Sequence, residues 1–219
     1  MRSLLRSFLA LVFALMPALV RGQVPLFPDE IERVDVIAIE RDGRDFYAFD
    51  ALSGRRSTIR LEVAERVISE ESRGRIGVVL TDRRVLGVSS GTGWSELRLG
   101  VQEKAPAVAL VEDRIAVLAS NRRALAFTGA SGWQSEAFSP SESAIAIRVG
   151  AAVGLVTTNR RALGAAPERA GFVEQDLQVR EVIESVETQD TLATLRTDRR
   201  ILVFSAPRSI WSEQRRKLN

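Results

Sequence analysis

The 219-residue chain contains no cysteine and no histidine, and only one tyrosine and two methionines. Without cysteine there is no disulfide, no thiol nucleophile and no thiolate-held metal, and no lipid can be attached just past a leader. Without histidine, Ser-His-Asp and Cys-His catalysis are excluded, as are the commonest catalytic zinc sites. No Walker or dinucleotide glycine pattern occurs either; Gly91-Thr92-Gly93 and Ala170-Gly171 read as strand turns. No window shows convincing helical periodicity, and past residue 22 no stretch is apolar enough to span a bilayer.

What is present has an ordinary globular balance, 45% hydrophobic and 27% charged, enough to bury a substantial core as one domain. Residues 1–22 read as a secretory signal: Arg2 and Arg6 form a basic start, Phe8 to Val20 an apolar run, and Pro17 breaks a helix near the expected cleavage site. The mature chain is then expected to begin at Gln23. The rival reading, an uncleaved anchor, is disfavoured because the run falls short of the ~20 residues a spanning helix needs. The leader holds three of the 31 basic residues and none of the 28 acidic ones, so the remainder is neutral. A neutral chain lacks the clustered positive excess of a nucleic-acid binder. The expected location is the periplasm or the exterior, with no membrane span once the leader is removed.

The chain is organised around a repeated marker. Thr197-Asp198-Arg199-Arg200 recurs as Thr158-Asn159-Arg160-Arg161, Ser120-Asn121-Arg122-Arg123 and Thr81-Asp82-Arg83-Arg84, with a degraded copy at Asp42-Gly43-Arg44. These lie ~39 residues apart, a period typical of stacked or radial repeats. Each full unit reads as four short strands with turn signals between them, such as 66–70, 75–81, 85–89 and 94–99 in the second unit. The first unit, with strands at 34–40, 46–50 and 58–63, is one strand short, and Val24-Pro25-Leu26-Phe27-Pro28 is too proline-rich for a central strand. Runs such as Ile76 to Leu80 are apolar on more than alternate positions, as a sheet buried on both faces requires. Counting from the turn residues Asp42, Asp82, Asn121, Asn159 and Asp198, the fourth residue on is apolar throughout. Small residues stand five before it in four units, at Gly77, Ala116, Gly154 and Ala193, and fit close sheet-to-sheet approach.

The expected fold is therefore an all-β, five-bladed β-propeller of ~39-residue four-stranded antiparallel repeats, with blades near 23–63, 64–101, 102–140, 141–178 and 179–219. The order of strand, acidic or amide turn, strand, Gly-containing turn and aromatic resembles WD40 and PQQ-like propeller repeats. The stretch Ala48-Phe49-Asp50-Ala51-Leu52-Ser53-Gly54 is similar to the Ala-x-Asp-x-x-Thr-Gly of the PQQ-like repeat, departing by Ser53 for Thr and by Thr58 where that family has Trp. The resemblance implies a fold and no quinone enzyme, and no cofactor is expected.

Three sets of residues are candidates. Arg44, Arg84, Arg123, Arg161 and Arg200 follow the turn in each unit. They form either a basic collar for carboxylates, sulfates or phosphates or a structural tie to acids such as Asp82, Asp198, Glu103 or Glu142; the structural reading is preferred because a residue in every copy usually serves the fold. Arg83, Arg122, Arg160 and Arg199 occupy the turn tips and are the candidate binding set. Trp94, Trp133 and Trp211, with Phe172 in the fourth unit, share one slot, as inter-sheet filler or, alternatively, as sugar-stacking platforms like those of lectin propellers. Glu96, Glu174 and Glu213 lie two residues after the aromatic and Glu136 three after. Glu70, Glu71, Glu112 and Glu187 are the carboxylates that a glycosidase-type site at the axis would use. No metal site is expected. The resulting reading is a non-catalytic binding module whose partner is another protein or an envelope glycan, with a hydrolase as the more distant rival.

Overall fold

The structure is a computed structural model and describes residues 34–216. The expected leader 1–22, with its cleavage site, and the 24–28 segment lie outside the described residues. Those described form 19 strands and no helix. The first sheet has three strands, β1 (Ile37–Asp42), β2 (Asp45–Asp50) and β3 (Arg55–Arg60). Four four-stranded sheets follow. The second contains β4 (Val67–Arg73), β5 (Ile76–Thr81), β6 (Arg84–Ser89) and β7 (Gly93–Arg98), and the third β8 (Leu110–Val111), β9 (Ile115–Ala119), β10 (Arg123–Thr128) and β11 (Gly132–Ala137). The fourth contains β12 (Ala144–Gly150), β13 (Val153–Thr158), β14 (Arg161–Ala165) and β15 (Val173–Asp176), and the fifth β16 (Ile183–Thr188), β17 (Leu192–Thr197), β18 (Arg200–Ser205) and β19 (Ile210–Arg215). Within each sheet, strands pair antiparallel in chain order.

Each sheet packs face to face on the next. The second and third sheets share a core built on Leu80, Val85, Leu118 and Phe127, the third and fourth one on Val117, Ala126, Val156 and Leu163, and the fourth and fifth one on Leu155, Ala162, Leu195 and Phe204. Strands β5, β6 and β13 are buried at every residue, which is why their sequences do not alternate. Small residues set the approach. A Cβ built at Gly87 would lie 2.6 Å from the ring of Phe127 in the next sheet, and one at Gly164 2.6 Å from Phe204. Gly77 and Gly154 receive Ile39 and Val117 of the preceding sheet in the same way. Backbone bonds add a second link, from Val36 N, just before β1, to Gly74 O in the first hairpin turn of the second sheet, and then between first-hairpin turns, from Arg75 N to Asp113 O, Arg114 N to Ala151 O and Ala152 N to Asp190 O.

Among the described residues, no strand pairing and no shared buried core joins the first sheet to the fifth. Each of these two sheets has one well-buried face and one more open: Phe46 and Ala48 are buried while Phe49 is exposed, and Leu202 and Phe204 are buried while Ile201 and Val203 are only half-buried.

The first unit needs a correction of one residue. Its hairpin turn is Gly43-Arg44, with Gly43 at φ +59, and Asp42 pairs with Asp45. In the second sheet the corresponding turn is Asp82-Arg83, between Thr81 and Arg84. Arg44 is thus the counterpart of Arg83, and Asp45 that of Arg84. The backbone agrees: Leu61 N donates to Arg44 O as Leu99, Phe138, Leu177 and Arg216 donate to the carbonyls of Arg83, Arg122, Arg160 and Arg199. Asp42 accordingly stands where the other units have Thr or Ser. The slip arose because the acidic residue was matched to the Asx of the other markers, whereas the left-handed glycine fixes where the turn falls. In the corrected register Ala48 falls level with Gly87 and Ala38 with Gly77, so the small positions extend to all five sheets except that Val203 holds the Gly87 place in the fifth.

Candidate functional site

Each marker arginine after the tip lies under the turn, in a network repeated four times. Arg84 donates from Nε to Glu65 Oε1 at 2.9 Å, from Nη2 to Arg60 O of the first sheet at 2.7 Å, and from Nη1 to Glu96. Arg200 repeats this with Glu181 at 2.8 Å, Asp176 O at 2.6 Å and Glu213 at 2.7 Å. Arg161 uses Glu142, Ala137 O and Glu174, and Arg123 uses Glu103 and Arg98 O. Each guanidinium therefore ties its own turn to the outer strand of the preceding sheet. The marker hydroxyl is the hub: Thr81 Oγ1 donates to Glu65 Oε1 at 2.7 Å and accepts from the backbone N–H of Arg83 and Arg84. Ser120, Thr158 and Thr197 do the same with Glu103, Glu142 and Glu181.

The second oxygen of each glutamate caps its own sheet-to-sheet loop, accepting from the N–H of Glu62, Gly100, Ser139 or Gln178 at 2.6–2.9 Å. Burial opposes ionisation of Glu65, Glu103, Glu142 and Glu181, and the hydrogen bonds, chiefly from the arginine, outweigh it; all four carboxyls are held below their ordinary range. Sequence reasoning named Glu103 and Glu142 but missed Glu65 and Glu181. Their signal was present, since 65, 103, 142 and 181 recur with the same period as the marker. Asp82 and Asp198, expected as partners of the arginines, accept instead from the backbone N–H of Arg66 and Val182, as Asn121 and Asn159 do from Lys104 and Ser143. Glu136, one residue out of step with Glu96, Glu174 and Glu213, crosses to Arg161 of the next sheet at 3.3 Å.

The tip arginines stand in a different place. Arg83, Arg122 and Arg160 are exposed and Arg199 is half-buried. Arg83 reaches Glu62 at 3.5 Å, Arg122 reaches Gln102 at 3.0 Å and Arg199 reaches Gln178 at 3.1 Å, all in the sheet-to-sheet loops. Tips and loops thus share one end of the sheets. Arg44 belongs with this set by its turn position, and its Nη2 donates to Leu61 O.

The aromatic slot lies between outer strands. Trp94, Trp133 and Trp211 are half-buried, and each indole N–H donates to a carbonyl of the preceding sheet, Ser57, Ser95 or Val173, at 2.9–3.3 Å. Trp133 and Trp211 also stack at a tilt on Phe127 and Phe204, with centroids 5.0 and 5.2 Å apart. Phe172 packs in the core between third and fourth sheets, but its ring has no N–H to donate. There the buried Gln134 makes the link, accepting from Gly171 N at 2.6 Å and donating to Arg169 O at 3.1 Å. In the first sheet Arg56 holds the slot and lies 4.1 Å over the Tyr47 ring.

The seven residues resembling the PQQ-like repeat form a tight turn. Asp50 accepts from Ser53 Oγ and Leu52 N within the turn, and from Ser90 Oγ and Gly91 N of the second sheet. The Ser53 hydroxyl is the main cause, against a smaller opposing effect of burial, of a carboxyl pKa lowered to about 2. Of the candidate axial carboxylates, Glu70, Glu71 and Glu187 are exposed and Glu112 pairs with Arg73 at 2.7 Å. Among the described residues, no three acidic side chains gather as a metal site would need. Shallow clefts occur at the end of the sheets opposite the tips, one lined by Arg75, Ser90, Arg114 and Pro167 and one by Asp50, Arg55, Arg56 and Thr92.

No protein-family model matches the chain, and no curated protein matches it. Solved structures of β-propeller type do resemble it. Prp20p of Saccharomyces cerevisiae, described with its binding to Gsp1p and histones, aligns with 78% of this chain and 55% of its own at 7% identity and a TM-score of 0.41. Hsv2 of Kluyveromyces lactis aligns with 84% of this chain and 61% of its own at 9% identity and a TM-score of 0.38. A chain of the mitotic checkpoint complex aligns with 96% of this chain and 74% of its own at 12% identity and a TM-score of 0.39. The chain thus spans little more than half the length of the Prp20p chain.

Proposed function

We propose that this chain is an exported, non-catalytic five-bladed propeller, each sheet a blade, that binds another protein through the end of the sheets carrying Arg83, Arg122, Arg160 and Arg199, with Arg44 beside them. The observation that carries the reading is the division of labour within each Arg-Arg pair. The second arginine is committed to the fold by several hydrogen bonds to buried carboxylate and backbone oxygens, while the first stands nearer the surface, where Arg83, Arg122 and Arg199 each reach a single loop side chain. A row of charges that the fold does not need is suited to steering a partner. Export rests on the leader in the sequence; mass spectrometry finding Gln23 as the mature start supports it.

The protein reading is favoured over the glycan alternative by the aromatic slot, because an indole whose N–H is bonded to the neighbouring sheet is a poor stacking platform. It is favoured over the hydrolase because Glu70, Glu71 and Glu187 are exposed and Glu112 is paired with Arg73. The test is capture of partners from an envelope extract by the purified protein and by the R83S/R122S/R160S/R199S variant. The reading expects the variant to capture less of its partner while its melting temperature stays unchanged. A partner retained in full by the folded variant would remove this face from the function.

A further inference from the structure

Beside three of the tip arginines stands an apolar side chain that the fold does not bury, and the fourth unit has one at the equivalent loop position. Val63, Val101 and Val179 are 75%, 106% and 85% exposed, and Pro140 is exposed at the equivalent place. Each lies two residues before the loop glutamate that caps the loop and holds the tip, at Glu65, Glu103, Glu142 and Glu181. The contacts place arginine and apolar residue together: Arg83 reaches Glu62, next to Val63; Arg122 reaches Gln102, next to Val101; Arg199 reaches Gln178, next to Val179. Isolated exposed apolar residues are normal on any protein, but an arginine-apolar pair at successive sheets is a periodic surface.

The charge of this surface is positive. Arg44, Arg83, Arg122, Arg160 and Arg199 are joined by the exposed Arg66 and Arg180. The acids beside them are fewer: Asp82 and Asp198 accept from backbone N–H groups, Glu62 pairs with Arg83 and Arg98, and Asp42 is exposed beside Arg44. Packed sheets lie ~10 Å apart and an extended chain advances ~3.3 Å per residue, so one repeat corresponds to about three residues of an extended ligand.

We propose that the ligand of this face is an extended acidic segment of a partner protein, with a carboxylate about every third residue and apolar side chains between. This inference rests on the binding face proposed above and adds the chemistry of its partner. An extended segment of this kind meets both members of each pair, the arginine through a bidentate carboxylate contact and the valine through apolar burial. An anionic glycan or a nucleic acid would satisfy the arginines and leave the apolar residues against charge.

The test uses the purified protein and a fluorescent peptide of five Asp-Leu-Ser triplets, with an isomer in which all the aspartates are grouped at one end. Anisotropy titrations are expected to show the spaced peptide binding about tenfold more tightly than the grouped one, a difference of ~1.4 kcal/mol. R83S/R122S/R160S/R199S should lose both peptides. V63S/V101S/V179S should bind the two isomers equally, with the salt dependence of the wild type. Equal binding of the isomers by the wild type, or a valine variant that still prefers the spaced peptide, overturns the proposal. So does displacement of the peptide by heparin at lower concentration than by unlabelled peptide, which would identify an anionic glycan. None of these outcomes touches the binding face itself, which falls only if the arginine variant keeps its captured partner.

Discussion

Arg83 and Arg84 are neighbours in sequence, yet the Arg84 side chain is 5% exposed and bonded to two glutamates, while that of Arg83 is 46% exposed and touches Glu62 at 3.5 Å. The same contrast holds between Arg199 and Arg200. Two adjacent identical residues in a tight turn point to different surroundings, so the repeated Arg-Arg pair carries two separate roles, one binding sheet to sheet and one facing outward. The difference also orders the expected costs of removing them.

The largest effect should come from the buried row. Glu65→Ala or Glu181→Ala removes the buried partner of Arg84 or Arg200, leaves the guanidinium only the more exposed Glu96 or Glu213, and should destabilise the protein by about 3 kcal/mol in chemical unfolding. The Arg123 and Glu103 side chains, 20% and 5% exposed, should show a smaller cost in Glu103→Ala. A loss below ~1 kcal/mol at Glu65 would mean that the network does not hold the sheets together. Next comes the aromatic slot: Trp133→Ala should cost ~3 kcal/mol or more, and Trp133→Phe, which keeps a ring but loses the bond to Ser95 O, about 1 kcal/mol. Gly87→Ala and Gly164→Ala should follow at about 1–3 kcal/mol, because the new methyl meets a phenyl ring packed from the next sheet.

Acid should act on the buried row as well. The folded pKa values of Glu65, Glu103, Glu142 and Glu181 lie below the unfolded value of about 4.3. Their stabilisation is therefore fully present above that pH and is lost as pH falls through the folded values. Asp50 adds a loss between ~3.9, its unfolded value, and about 2. Melting temperature followed from pH 6 downward should fall in this window, and Glu65→Gln should flatten the fall. A curve with the same slope in that variant would assign the acid sensitivity elsewhere.

Much of this was legible in the sequence because the fold is periodic. The small positions Gly77 and Gly154 and the fully buried β5 and β13 follow from one physical requirement, a sheet covered on both faces, and the marker recurs because each turn is tied down in the same way. The first unit was misread by one residue because Asp42 looks like Asp82, while the turn is placed by Gly43. Arg44 was thereby set with the buried arginines, whose place in the first sheet Asp45 holds. Glu65 and Glu181 bond Arg84 and Arg200 across 19 residues, so only their recurrence in step with Glu103 and Glu142, and no local pattern, marks them. The apolar loop residues Val63, Val101 and Val179 were likewise invisible as surface, since a lone valine in a sequence gives no sign that its loop leaves it uncovered.

The central claim is that the tip row faces a partner and the buried row does not. It is tested most directly by the association rate of the captured partner with wild type and with R83S/R122S/R160S/R199S, measured at low and moderate salt with melting followed in parallel. Because exposed tip charges contribute within ~0.5 kcal/mol each to folding, the variant should melt as the wild type does. Its association should be slower and should lose much of its salt dependence. An unchanged rate and salt slope would contradict the claim, and a collapsed melting transition would show that the tip arginines belong to the fold after all.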